Sequence, residues 1–138
     1  NNISIDAEAS FTRSRLDISD NNNYIEGAVA FVGSSGINWH MNDQWQSSLR
    51  LRHIGERTLT DDGTIRSNPL TVVNSMLSYT QTQWKVKFEI LNLFDNNAHD
   101  IDYYYTSRLP GENSDGVDDN HFHVIEPRTA RLSLSIIF

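Results

Sequence analysis

The sequence predicts an all-β protein, an antiparallel up-and-down meander of about six strands belonging to a closed barrel. Three observations carry this. Apolar and polar residues alternate with a period of two through most of the chain, which gives each strand one apolar and one wet face. The connections between these segments are short and long in turn. The final segment sets Leu132, Leu134, Ile136 and Phe138 against Arg131, Ser133 and Ser135 and stops on the terminal phenylalanine, leaving no tail to cover its edge. Closing a sheet into a barrel is the arrangement that abolishes exposed edges.

Taken in order, residues 3–11 oppose Ile3, Ile5, Ala7, Ala9 and Phe11 to Ser4, Asp6, Glu8 and Ser10. Residues 24–40 form the second strand, with Val29, Phe31, Ile37 and Trp39 in one phase and a bend or bulge expected between Gly33 and Gly36. After a short turn at 41–43, residues 44–54 set Trp45, Leu49 and Leu51 against Gln44, Gln46, Ser48, Arg50 and Arg52. A polar loop, 55–69, leads to a fourth strand at 70–79. A second short turn, 81–83, leads to a fifth at 84–93, where Trp84, Val86, Phe88 and Ile90 oppose Lys85, Lys87 and Glu89. Residues 95–126 read as a long acidic loop before the last strand, 128–138.

Composition excludes several classes. A net charge of −7, with 11 Lys and Arg spread along 138 residues, lacks the basic stripe that a nucleic-acid partner requires. The absence of cysteine removes disulfides, thiolate metal sites and thiol nucleophiles. No apolar run approaches the ~20 residues of a membrane helix. A transmembrane strand needs only ~10 residues of alternating polarity, so a negative mean hydropathy is compatible with a membrane barrel.

Tight turns on one rim and long loops on the other are the pattern of an outer-membrane barrel. Trp39, Trp45, Tyr79, Trp84 and Phe138 all fall at the strand ends marked by short turns or by the terminus, where amphipathic rings suit a bilayer interface. In the opposite phase, Asp6, Glu8, Arg50, Arg52, Lys85, Lys87, Glu89 and Arg131 share one side of the sheet. A hydrated lumen holds such a set where a soluble core cannot.

No catalytic motif is present: neither Gly-x-Ser-x-Gly, nor His-Glu-x-x-His, nor a phosphate-binding glycine loop occurs, so no enzyme is expected. The acids of 95–126 beside His121 and His123 match no calcium-loop spacing; a solvated acidic rim accounts for them, and no metal or other cofactor is assigned. Tyr103, Tyr104, Tyr105 and Arg108 are the candidates for extracellular ligand contact.

The run from Trp84 to Asp95, ending Asn92, Leu93, Phe94 and Asp95, resembles the penultimate strand of TonB-dependent outer-membrane receptors, whose Asn-Leu-Phe-Asp tetrad recurs at this distance from a C-terminal aromatic residue. The stretches 102–112 and 116–123, and Glu126, Pro127 and Arg128, look like one branch of that family. Upstream, Tyr24 to Gly27 is similar to its Ile-Pro-Gly turn, with Glu26 in place of proline, and Gly55 to its strand-end glycine. The resemblance implies a plugged barrel of about 22 strands in a Gram-negative outer membrane. Such a barrel imports an iron-siderophore, cobalamin, oligosaccharide or other scarce nutrient with energy delivered through TonB.

Residues 1–138 would then be the C-terminal part of that barrel, without the plug and most of the wall. The implied partners are outer-membrane lipid, the protein's own plug, TonB and the barrel-assembly machinery, which would read Leu132, Leu134, Ile136 and Phe138. The nutrient is unassigned, and the piece by itself is expected to self-associate through open edges. The alternative is a soluble all-β ligand-binding module of the carbohydrate-binding kind.

Overall fold

The computed structural model describes residues 1–17 and 23–137. Among them there is no helix. Six strands, β1 (Asn2–Phe11), β2 (Phe31–His40), β3 (Trp45–Ile54), β4 (Leu70–Thr80), β5 (Trp84–Leu91) and β8 (Thr129–Ile136), form one antiparallel sheet in the order β1-β2-β3-β4-β5-β8. Two more, β6 (His99–Ser107) and β7 (Val117–Val124), form a separate two-stranded sheet inserted between β5 and β8. Successive strands of the large sheet are neighbours throughout, so the expected meander stands as the arrangement of that sheet.

Register puts each strand's apolar phase on a single face. Ile3 faces Trp39, Ile5 faces Ile37 and Phe11 faces Phe31; Ile37 then faces Leu49, Leu51 faces Val73, Leu77 faces Phe88, and Phe88 faces Leu132. Directly opposed residues of an antiparallel pair lie on the same side. The apolar side is therefore continuous from β1 to β8.

The β2–β3 connection is tight because Asn42 Oδ1 accepts from the backbone N–H groups of Gln44 (2.9 Å) and Trp45 (2.8 Å), an Asx-type turn. The β4–β5 connection is closed by Gln81 N–H to Trp84 C=O at 2.8 Å.

Three expectations are corrected. The second strand begins at Phe31, not 24: Tyr24 bridges to Arg15, Glu26 and Gly27 turn with Gly27 at φ 75°, and Val29 bridges to Arg57. No bulge interrupts Gly33 to Gly36, since register runs unbroken on both sides of β2. The glycines make room for side chains instead: a Cβ on Gly33 would lie 3.0 Å from the Phe31 ring, and one on Gly36 2.9 Å from the Arg50 guanidinium.

The polar loop 55–69 stands at its expected bounds between β3 and β4, and it is internally ordered. Thr58 bridges Arg66, Leu59 N–H bonds Ile65 C=O (2.9 Å), and Leu59 is only 3% exposed. Finally, the acidic loop 95–126 contains β6 and β7, so the chain has eight strands among its described residues rather than about six.

The sheet is a single layer. The only buried apolar side chains among the described residues are Leu59, Leu70 and Val73. A compact soluble monomer of 15.8 kDa exposes about 7,300 Å² by size scaling, whereas this chain exposes 9877 Å². The excess is what an uncovered sheet face produces.

Candidate functional site

The apolar face is bordered by aromatic rings at both ends of its strands. At the end carrying the short turns, Trp45 and Tyr79 lie 4.8 Å apart and Tyr79 and Trp84 5.4 Å apart between ring centroids, and Trp39 is on the same rim beside Ile3. The Tyr79 hydroxyl accepts from Gln81 Nε2, so its polar tip is satisfied at the rim. At the other end Phe11 and Phe31 are 4.8 Å apart and Phe31 and His53 5.6 Å apart. His53 meets the Thr71 hydroxyl at 2.8 Å through Nδ1.

This second row was not anticipated, although Phe11 and Phe31 are each eight residues along their strand from Ile3 and Trp39. Eight residues span about 26 Å of strand. Between the rows lie Ile5, Ile37, Leu49, Leu77, Phe88, Leu132 and Leu134, all exposed, with Ile5 at 73% and Leu132 at 75%. Phe138 lies outside the described residues; Leu132, Leu134 and Ile136 share the apolar face of β8.

The opposite face carries the charges. Asp6, Glu8, Arg50, Arg52, Lys85, Lys87, Glu89 and Arg131 all lie on it by register. Arg50 passes over Gly36, the residue opposite it on β2, to donate to Asp6 on β1 at 2.7 Å. Its guanidinium reaches two strands away only because Gly36 has no side chain in its path. Lys87 pairs with Glu89 at 2.8 Å, and Arg131 approaches Glu126 at 3.5 Å.

Asn92 to Asp95 form a clamp where the sheet meets the hairpin. Asn92 adopts φ 49° and ends β5 at Leu91; it is 3% exposed. Its Nδ2 donates to the carbonyls of Asn96 (3.0 Å) and Glu126 (3.1 Å), and its Oδ1 accepts from Asn96 N–H (2.9 Å). Its own N–H donates to Asn74 Oδ1 on β4 at 2.9 Å. Leu93 N–H bonds Val73 C=O, and Asp95 Oδ1 accepts from Arg128 N–H just before β8. One short segment thereby ties β4, the end of β5, the hairpin base and the approach to β8. Asparagine suits it because it tolerates positive φ and both donates and accepts.

Beyond the clamp, β6 and β7 pair from Ile101 opposite His123 to Ser107 opposite Val117, with an irregularity between His99 and Ile101. His99 stacks on Phe122 (3.8 Å, 6°) and its Nδ1 meets Asp102 Oδ1 at 2.8 Å; Tyr105 stacks on His121 (4.0 Å, 15°). The His123 ring N–H bonded to Asp100 at 2.8 Å holds that carboxyl below its ordinary value, with partial desolvation opposing and the histidine's charge assisting. Likewise, hydrogen bonds from the Thr60 hydroxyl and from Thr64 hold the Asp62 carboxyl low in the 55–69 turn.

Tyr103 and Tyr105 are exposed and Tyr104 is half-buried. All three line a cavity with Asp102, Leu59 and the Glu26–Gly27 turn. Arg108 is not part of that cavity; it sits past β6, its Nε on Glu112 C=O at 3.4 Å. Among the described residues no group of three or more His, Asp or Glu side chains is placed to hold a metal ion. No family model, no curated protein and no solved structure matches this chain.

Proposed function

We propose that this chain is a segment of the wall of an outer-membrane β-barrel of the TonB-dependent receptor type. Such a barrel takes up a scarce nutrient such as an iron-siderophore, cobalamin or oligosaccharide in a Gram-negative bacterium. The observation that carries the reading is the apolar face: continuous over six strands, exposed along most of its extent apart from the patch where Leu93 and Phe94 lie beside Val73, and bordered by aromatic rows about 26 Å apart along the strand. At a strand tilt of about 40°, that separation projects to roughly 20 Å, comparable with the ~25 Å apolar band of such barrels.

Two further features support it. The charged face suits a wet lumen against a plug, because Asp6, Arg50 and their neighbours keep substantial access to water. The connections alternate between tight turns at one rim and long, folded segments at the other, where 55–69 and the β6–β7 hairpin lie. The Asn92 to Asp95 motif, on which the resemblance to the receptor family rests most heavily, has a clear mechanical task in tying the hairpin to the wall. In this reading the role is non-catalytic, and the partners are bilayer lipid, further wall strands on the free edges of β1 and β8, a plug, TonB and the barrel-assembly machinery.

The test is light scattering coupled to size-exclusion chromatography on the 138-residue chain, with and without detergent, paired with circular dichroism. The expected result is strand signal with solubility that depends on detergent, or an obligate oligomer made through the open edges. A well-behaved monomer in plain buffer would overturn the reading in favour of a soluble binding module whose apolar face finds internal cover.

A further inference from the structure

We infer that the cavity beyond the Phe11 end of β1, walled by side chains from 12–15, 24–30 and 56–66, binds a phosphate monoester group. It holds about 260 Å³, slightly under the usual range of small-molecule sites and enough for a charged group with a few atoms attached. Thr12 and Ala30 fix its place: Thr12 N–H donates to Ala30 C=O at 2.9 Å, one residue past the pair of Phe11 and Phe31. The cavity therefore lies among the long connections of that rim.

The observation that points to an anion is the set of guanidinium groups lining it. Arg13, Arg15 and Arg66 face one carboxylate, Glu56, among the described residues, an excess of two positive charges in a chain whose net charge is −7. Arg15 Cζ lies 3.5 Å and Arg66 Cζ 5.7 Å from the centroid of a single ring, Tyr24. The two groups are thus within one Debye length of each other, about 10 Å at 0.1 M salt, and they repel. Glu56 offsets this only in part, through its pair with Arg66 at 2.6 Å.

The arrangement is set before any ligand arrives. A backbone bridge joins Arg15 to Tyr24, and Tyr24 N–H donates to Asp61 C=O at 3.0 Å, which seats the 55–69 loop beside the ring. Gly63 permits that contact, since a Cβ there would lie 2.7 Å from the Tyr24 ring. Like charges held together in this way are relieved by an anion placed between them. A phosphate monoester carries nearly two negative charges at neutral pH and matches the excess, whereas a carboxylate or a phosphodiester supplies one. Guanidinium forks bond two oxygens at once, and Thr12, Ser14 and Thr58 add hydroxyl groups to the lining. The site is made of this chain's own residues and stands whether or not the apolar face meets lipid. A soluble phosphate ester and a lipid headgroup present the same chemistry to it.

The test titrates the full chain in nonionic polyoxyethylene micelles at about pH 7.5 and constant ionic strength, and follows the arginine side-chain resonances. Methyl phosphate, doubly charged under these conditions, is expected to give saturable shifts, with dimethyl phosphate and acetate bound about tenfold more weakly. A second arm dopes the micelles with lysophosphatidic acid, which carries the monoester on a lipid. Saturation at lower concentration in that arm assigns a headgroup, and saturation by methyl phosphate alone assigns a soluble ester; either supports the site. Arg13→Gln should weaken methyl phosphate about fivefold with the strand dichroism retained. Glu56→Gln removes the competing acid and should tighten binding roughly two- to fivefold, a gain that a purely structural role for these residues does not produce. Should Arg13→Gln lose its fold, the gain in Glu56→Gln carries the test. Absence of saturable shifts, equal binding of dimethyl phosphate, unchanged affinity in a folded Arg13→Gln, or no gain in Glu56→Gln would overturn the site and leave the arginines only their contacts with Tyr24 and Glu56.

Discussion

The six-stranded sheet and the β6–β7 hairpin are both antiparallel, yet they are ordered by different physics. In the sheet, every strand sees one environment on each face, and side chains follow that environment with a period of two from Ile3 to Ile136. In the hairpin, order comes from particular pairs: His99 on Phe122, Tyr105 on His121, Asp102 with His99 and Asn120, Asp100 with His123. Three of the four buried side-chain polar atoms without a partner among the described residues belong to the hairpin, at Asp102, Asn120 and His121. The fourth is Ser78 in the sheet. A face that answers to a bulk solvent can be built from repeats, whereas a site must be built from exceptions.

The junction between the two regions is where the comparison breaks most readily. Asn92→Ala removes three hydrogen bonds at a position 3% exposed and leaves the Asn96 N–H and two carbonyls without partners. It also forces alanine to φ near 49°. The expected loss is about 3–5 kcal/mol, since unsatisfied buried groups cost roughly 1–3 kcal/mol each and are only partly additive. Amide exchange should lose protection first in β6 and β7 and only later in β2 and β3. Uniform loss across both regions would mean that the clamp supports the whole fold and not the hairpin's attachment.

The same contrast explains what was readable in the residues. Ile3 to Phe11, Trp45 to Ile54 and Trp84 to Leu91 announce strands because each alternates cleanly. Residues 99–107 do not: three consecutive tyrosines and interleaved acids satisfy no single period, and both faces of β6 are partly wet, so alternation carries no signal. Gly33 and Gly36 misled in another way. They were expected to bend the backbone, and they serve to let Phe31 and Arg50 lie flat, a use visible only once the cross-strand neighbours are known. The candidate tyrosines were recognisable by type, but the carboxylate beside them, Asp102, was indistinguishable in sequence from seven other acids of the same stretch.

Within the sheet, the two faces can be set against each other at adjacent residues. Leu49 lies between the aromatic rows on the apolar face, and Arg50 next to it points to the charged face. If the apolar face meets hydrocarbon, Leu49→Arg costs about 2–4 kcal/mol near mid-bilayer. Arg50→Leu gives up one exposed ion pair to Asp6, a contribution of about 0–1 kcal/mol. Folding into lipid vesicles, followed by tryptophan emission during urea titration, should show the first variant impaired and the second close to the parent. Equal tolerance would remove the assignment of the faces.

The smallest expected effect belongs to the hairpin and separates the regions by pH. Hydrogen bonding to His123 holds the Asp100 carboxyl below its ordinary value, which for an unfolded chain is about 3.9. A depressed folded value means that Asp100 contributes stability above the unfolded pKa and that the contribution disappears as pH falls through the folded one. Asp100 and His123 are both well solvated, so the pair is worth no more than roughly 0–1 kcal/mol. Amide protection in β6 and β7, corrected for intrinsic exchange, should hold between pH 6 and 5 and decline below about pH 4. In Asp100→Asn the level should start lower and that part of the decline should be absent, because the asparagine has no proton to take up. The strands β2 to β4 should respond alike in both proteins, since Asp100 touches none of them except through Arg57 at the hairpin base. A variant that keeps the full acid-dependent decline would shift responsibility to the remaining carboxylates of the hairpin, Asp102, Asp118 and Asp119, and would make its order a collective property of the acidic cluster rather than of named pairs.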